Sequence, residues 1–208
     1  MSTPSDRINL TNQFLIAMPG MVDPMFSGSV VYMCDHNERG ALGLVINKPI
    51  DLDLMTVFDK IDLKLEIAPL QHQPVLFGGP VQTERGFVLH EPLGATGGSM
   101  PGGVQTEDGV RASYISSLKV PGGLEMTTPK DVLEQVAAGT GPSRFLLMLG
   151  YAGWGAGQLE QEIANNGWLT VQADPAIVFE TPLEFRFNAA LALLGVDPFM
   201  LSGEAGHA

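Results

Sequence analysis

The chain has 208 residues, 45% of them hydrophobic, with 25 glycines and 15 prolines. That length favours one compact domain over two, the apolar fraction excludes global disorder, and the glycines and prolines suit short strands and frequent turns better than a helical bundle. A formal net charge of −12 argues against direct binding to nucleic acid or an anionic membrane, both of which call for clustered Lys and Arg.

Residues 1–9 are polar and read as a flexible N-terminus, leaving 10–208 as a single domain. Residues 14–18 form a short apolar strand stopped by Pro19-Gly20. After an irregular connection containing Pro24, residues 29–34 and 41–46 read as the two strands of a hairpin, with turn chemistry over 35–40. Both strands are apolar at nearly every position, so both faces are expected to be covered. A short helix is expected over 52–58. Strands come next at 75–77 and 86–90, joined through the Gly78-Gly79-Pro80 turn. Residues 94–103 carry five glycines and read as a loop or hairpin tip, and a strand resumes over 114–120.

Thr128 as cap, Pro129 at the first helical position and Asp131 in the first turn predict a helix running to Ala138 and stopped by Gly139. Residues 144–149 read as a buried strand, 150–157 as a glycine-rich loop and 158–166 as an amphipathic helix. A strand over 168–172 and a last helix from 189 to 194 complete the order. Hairpins mix with single helices rather than alternating as βαβ units. The expected class is therefore α+β, one domain with a mainly antiparallel, curved sheet and flanking helices.

The lone cysteine, Cys34, rules out an intrachain disulfide and suits a reducing compartment. No secretory leader pattern opens the chain, and no apolar run reaches the roughly 20 residues of a membrane span, which points to the cytoplasm. From Gln158 to Ala208 seven acids stand against one base, Arg186, a net −6.

Several groups carry possible chemistry. Cys34 and His36 share a face of an extended strand and could form an activated thiol pair; the plainer alternative is a buried small hydrophobe beside a turn histidine. The four histidines are scattered, and no HxxxH or CxxC pair exists, so neither a metal nor another cofactor is implied. The segment Gly150-Tyr151-Ala152-Gly153-Trp154-Gly155-Ala156-Gly157 lies between a strand and a helix that opens at Gln158. That geometry can cradle an anion on backbone N–H groups, or simply reflect close packing. It is neither a P-loop nor a GxGxxG. Asn47 and Lys48 end a strand, and Lys48 could hold a ligand anion. Glu160 and Glu162 fall on different helix faces and do not make an acid–base pair. The ligand-binding candidates are Cys34, His36, Asn47, Lys48, His90, Tyr151, Gly153, Trp154 and Gln158.

The blocks FLIAMPGMVDPMFSGSVVYMCDHNERGALGLVINKP, GGPVQTERGFVLH, TTPKDVLEQVAAG, LGYAGWGAGQLEQEI and EAGHA resemble the AlgH/YqgE family of bacterial proteins from about Leu10 to the C-terminus. The resemblance implies a sheet bent into a pseudo-barrel and a bacterial cytosolic protein. It implies no activity, since the family is largely uncharacterised. The family name carries a proposed regulatory link to alginate production and with it the label of transcriptional regulator. The stretch 91–113 is longer and richer in glycine than the corresponding connection in many relatives.

Two functions stand as expectations. The favoured one is a non-enzymatic regulatory or binding protein acting through a protein partner or small ligand. The alternative is an enzyme on a small anionic substrate, which requires Cys34, His36 or His90 to converge with Lys48 and the glycine segment. Direct DNA regulation has neither a helix-turn-helix signature nor a basic run behind it.

Overall fold

A computed structural model describes residues 9–92 and 117–196. The expectations placed on residues 1–8, on the glycine-rich 94–103 stretch and on the terminal EAGHA lie outside the described residues.

Ten strands form one sheet. In chain order, β1 (Gln13–Ala17), β2 (Val30–Asn37) and β3 (Gly40–Val45) make an antiparallel meander. Next come β4 (Pro49–Asp53), α1 (Leu54–Lys60), α2 (Ala68–Gln71), β5 (Pro74–Phe77) and β6 (Val81–His90). They lead to β7 (Ser117–Lys119), β8 (Glu125–Thr127), α3 (Pro129–Ala137) and β9 (Phe145–Gly155). The chain continues through α4 (Gln158–Ala164), β10 (Trp168–Gln172), α5 (Pro175–Phe179) and α6 (Leu183–Leu193).

The sheet order is β10-β1-β2-β3-β9-β6-β8-β7, with β4 and β5 off this path. Strand β9 is the spine. Its first half pairs with β6 from Phe145 to Leu149, and its second half pairs with β3 from Ala152 to Gly155. The contact of β5 with β9 at Met148 and Leu149 is parallel, while the other pairings are antiparallel. The sheet curls into a half-barrel, the α+β architecture expected from the sequence.

The curl creates three apolar cores. The concave face gathers Phe14, Ile16, Tyr32, Leu44, Leu76, Leu89 and Met148, closed over by Ile177 and Val178 of α5 and Ala190 and Leu191 of α6. On the convex side, α1 and α3 cover Val75, Val88 and Leu147 with Leu54, Phe58, Val132 and Val136. Leu159 of α4, with Trp154 and Trp168, covers Leu15, Val31, Met33 and Val45. The β2–β3 hairpin is thus buried on both faces, as its uninterrupted apolar run requires.

Four local expectations need correction. The segment Gly150–Gly155 is not a loop but the second half of β9, hydrogen-bonded into the sheet. Glycines at Gly150 and on the segments facing it allow close approach, and a Cβ on Gly150 would lie 2.3 Å from the Gly79 oxygen. A Cβ on Gly79, whose φ is +152°, would lie 2.1 Å from the Tyr151 carbonyl carbon, and one on Gly40 would lie 2.1 Å from the Trp154 oxygen. Glycine is the residue that lets two backbones pass this closely. The turn expected over 35–40 is only Glu38-Arg39, because β2 runs on to Asn37. Thr128 makes no capping hydrogen bond, whereas Asp53 and Asp174 cap α1 and α5 through Thr56 N and Ala176 N. The last helix begins at Leu183, six residues before the expected start.

Candidate functional site

Strand β2 carries a bulge between Met33 and Asp35. Such a bulge adds one residue and reverses the facing of the residues beyond it. Cys34 therefore points into the concave core with Tyr32, fully buried, and burial pushes its thiol well above the ordinary range. His36 lies on the opposite face, buried, where its Nδ1 accepts the Leu10 N–H at 3.1 Å and its Nε2 meets Glu160 Oε1 at 3.1 Å. The activated pair does not form, and Cys34 is the small buried hydrophobe of the plainer alternative.

Asn47 and Lys48 anchor the loop between β1 and β2. Asn47 Oδ1 accepts from Val30 N, and its Nδ2 donates to Gly28 O. Lys48 Nζ donates to the carbonyls of Pro24 and Met25, and desolvation holds its pKa below the usual lysine value. This fixes Phe26 against two indoles, stacked on Trp154 at 6.1 Å and edge-on to Trp168 at 5.5 Å. Below them, one oxygen of Glu162 accepts both indole N–H groups, at 2.9 and 2.8 Å. The other accepts from Gln158 Nε2 at 3.0 Å, and Gln158 Oε1 takes the Gly155 N–H. The alternating glycines and tryptophan are therefore a packing device with a partly buried carboxylate clamp. Of the segment weighed as an anion cradle, residues 152–155 pair with β3 and the Gly155 amide is taken by Gln158. Tyr151, Gly153 and Trp154 still line an open concavity of about 450 Å³ with Asp35, Asn37 and Arg39.

His90 stands at the other end of the spine. It pairs with Phe145, the first residue of β9, whereas Trp154 lies near the last. At about 3.3 Å per residue these points are roughly 30 Å apart. Fully buried, His90 places Nδ1 2.7 Å from the Glu91 carbonyl, so Nδ1 carries the proton and donates. Nε2 then accepts from Thr127 Oγ1 at 2.8 Å, which is 2.7 Å from Ser117 Oγ. Desolvation lowers the His90 pKa and keeps the ring neutral. Cys34 in the concave core, His36 against α4 and His90 at the far end of β9 do not meet in one pocket among the described residues.

A more enclosed cavity lies elsewhere among the described residues. About 380 Å³ lies between the start of β9, β5, α2 and the α5–α6 turn. Leu70, Leu76, Phe145, Leu146, Phe179 and Leu183 supply its apolar walls. Two arginines reach it. Arg144 is neutralised by a bidentate pair with Glu91 and a further contact to Glu180, its pKa raised chiefly by the Glu91 hydrogen bond, and it lies 5.6 Å over the Phe179 ring. Arg186 is only 5% exposed. Its Nε donates to Thr181 O at 2.9 Å and its Nη1 to Ile46 O, both neutral carbonyls. No carboxylate among the described residues pairs with it. Burial alone lowers its pKa to about 10, so it stays charged at neutral pH.

The sequence did hold a signal for Arg186. It is the one Lys or Arg in the C-terminal quarter, set between Phe185 and Phe187 in a helix whose other polar residues are Glu184 and Asn188. A lone arginine amid apolar neighbours reads as a solvated end until α6 is seen to begin at Leu183 and to place position 186 inward. Among the described residues no group of three His, Cys, Asp or Glu side chains could hold a metal ion, and no helix is long and apolar enough to cross a membrane.

A family model described as AlgH-like (DUF179) matches residues 14–199. The chain belongs to the AlgH-like family. It is 69% identical to a UPF0301 protein of Cupriavidus metallidurans and 71% identical to one of Burkholderia cenocepacia, each over all 208 residues and the full length of the relative. The solution structure of the AlgH protein from Pseudomonas aeruginosa is similar to this AlgH-like chain, with 48% identity, a TM-score of 0.71 and complete coverage of both chains. A crystal structure of a Corynebacterium diphtheriae protein shares the fold at 21% identity and a TM-score of 0.66, over 98% of this chain and 95% of that one.

Proposed function

We propose that this AlgH-like chain is a non-enzymatic, cytoplasmic binding protein that takes a small ligand into the cavity between β5, β9 and the α5–α6 turn. The observation that carries the reading is Arg186, a buried guanidinium facing a cavity without an anionic partner. A buried charge is ordinarily paired, because removing it from water is costly. Ligand sites combine apolar walls with a few fixed polar groups, and cavities of roughly 300–1,000 Å³ serve them. Regulation in this reading runs through the bound small molecule, or through a protein partner that senses it, rather than through DNA. A net charge of −12 supports that choice.

Native mass spectrometry of the protein purified from its own host tests the proposal. The expected spectrum retains a small-molecule mass that Leu183→Trp, which places an indole in the cavity wall, abolishes. Bare protein in both cases, with no compound from a metabolite library raising the melting temperature, refutes it.

A further inference from the structure

Arg186 also limits what the ligand can be, and the argument rests on the cavity being the binding site. A guanidinium carries five N–H donors. One on Nε and one on Nη1 are spent on the carbonyls of Thr181 and Ile46. Three remain, two of them on Nη2. Nη2 has no hydrogen-bond partner among the described residues, yet it is absent from the fully enclosed unsatisfied atoms, where Glu125 Oε2 stands alone. It therefore keeps an accessible face, and Arg186 is one of the residues lining the cavity.

The ion pairs are equally restrictive. Arg144 at the same cavity is held by two carboxylates, Glu91 and Glu180. Arg186 is thus the cation at the cavity with free donors and no carboxylate in contact, a planar fork among leucine and phenylalanine side chains. A planar monoanion satisfies that fork through two parallel hydrogen bonds. A phosphate dianion would bring a second negative charge with no cation left to meet it. Gln73, Ser143, Glu180 and Thr181 also line the cavity, while Leu70, Leu76, Phe145, Phe179 and Leu183 give it an apolar stretch that suits a hydrocarbon or aromatic body.

We propose that the ligand is a small amphipathic monocarboxylate, its carboxylate held by Arg186 and its apolar body lying along Leu70, Leu76, Phe145, Phe179 and Leu183. Arg186 is then a binding residue, and the fold tolerates its burial because the ligand supplies the missing counter-charge. Bound carboxylate would offset the desolvation that burial imposes on the guanidinium. Arg144 contributes position through its ring contact with Phe179 and is no second anion site.

Isothermal titration of the full chain with butyrate, hexanoate and benzoate, with their neutral amides and with inorganic phosphate, tests the inference. At least one carboxylate should bind, and its amide should bind roughly 30-fold more weakly or worse, the usual consequence of leaving one member of a buried charge pair alone. Arg186→Met should abolish the difference between acid and amide, and Arg186→Lys should restore part of it. The acid-over-amide preference of the wild-type chain needs no variant and remains decisive if Arg186→Met fails to fold. Equal binding of acid and amide leaves the cavity reading intact and overturns the carboxylate assignment. Preferential binding of phosphate overturns it as well. Failure of every probe, with no cavity ligand found by mass spectrometry, overturns both.

Discussion

Replacing Glu162 by leucine should cost far more stability than its half-exposed position on α4 suggests. The carboxylate accepts three hydrogen bonds, from Trp154 Nε1, Trp168 Nε1 and Gln158 Nε2. Both indoles are buried, at 6% and 3% exposure, so neither N–H can turn to water when the acceptor is removed. An unsatisfied buried donor costs about 1–3 kcal/mol. Two such donors give about 2–6 kcal/mol, and the contact from the exposed Gln158 adds little. For a chain of this size each kcal/mol lowers the melting temperature by about 2–4 °C, so Glu162→Leu should melt about 4–24 °C early. Glu162→Gln keeps one acceptor oxygen for the indoles and should lose about half as much. Thermal melts followed by tryptophan fluorescence and far-UV circular dichroism measure both variants. Trp168→Phe combined with Glu162→Leu should lose less than the sum of the single changes, since the two residues share one contact. A Glu162→Leu protein within about 0.5 kcal/mol of wild type, as for an ordinary surface change, would refute the clamp.

The same geometry gives three further outcomes. Gly79→Ala drives a Cβ against the Tyr151 backbone at a φ of +152° and should either prevent folding or lower stability by more than about 3 kcal/mol, read by urea denaturation. Cys34 should resist an aromatic disulfide reagent in the folded protein and react fully in guanidinium; rapid reaction under native conditions would contradict its burial. His90 has a folded pKa below its unfolded value near 6.5, so the unfolded state binds more protons on acidification. Its contribution should be intact above that pH and lost as pH falls below it, and His90→Gln should flatten the slope of unfolding free energy between about pH 7 and 5.

The hairpin of β2 and β3 was legible because its side chains serve two cores at once. Val30 and Tyr32 face the concave side and Val31 and Met33 the convex side, which leaves an apolar run with no polar alternation. Strand β9 was half legible. Phe145–Leu149 is apolar, but at Gly150 glycine is needed for contact with Gly79, and Gly78, Gly79 and Gly40 are needed opposite residues 150–154, a tertiary demand that a linear reading takes for a loop. The short elements β4, α2 and α5 escaped because they depend on their neighbours rather than on a period of their own. For the site, the bulge after Met33 decided the fate of Cys34 and His36, and a one-residue insertion leaves no mark in the sequence. Arg186 was visible as a residue but not as a site, since its meaning lies in Thr181 and Ile46, which come from a turn and from the far end of a strand.

The most direct test of the central claim is a nuclear magnetic resonance titration of the labelled protein with hexanoate. Saturable shifts of the Arg186 Nε–H, the Thr181 amide and the methyl groups of Leu76, Leu146 and Leu183 are the expected result, with the Tyr151–Trp154 face unchanged. Shifts confined to the concavity of Asp35, Tyr151 and Trp154, with Arg186 Nε–H unmoved, would contradict the account and move the binding site to the opposite end of β9.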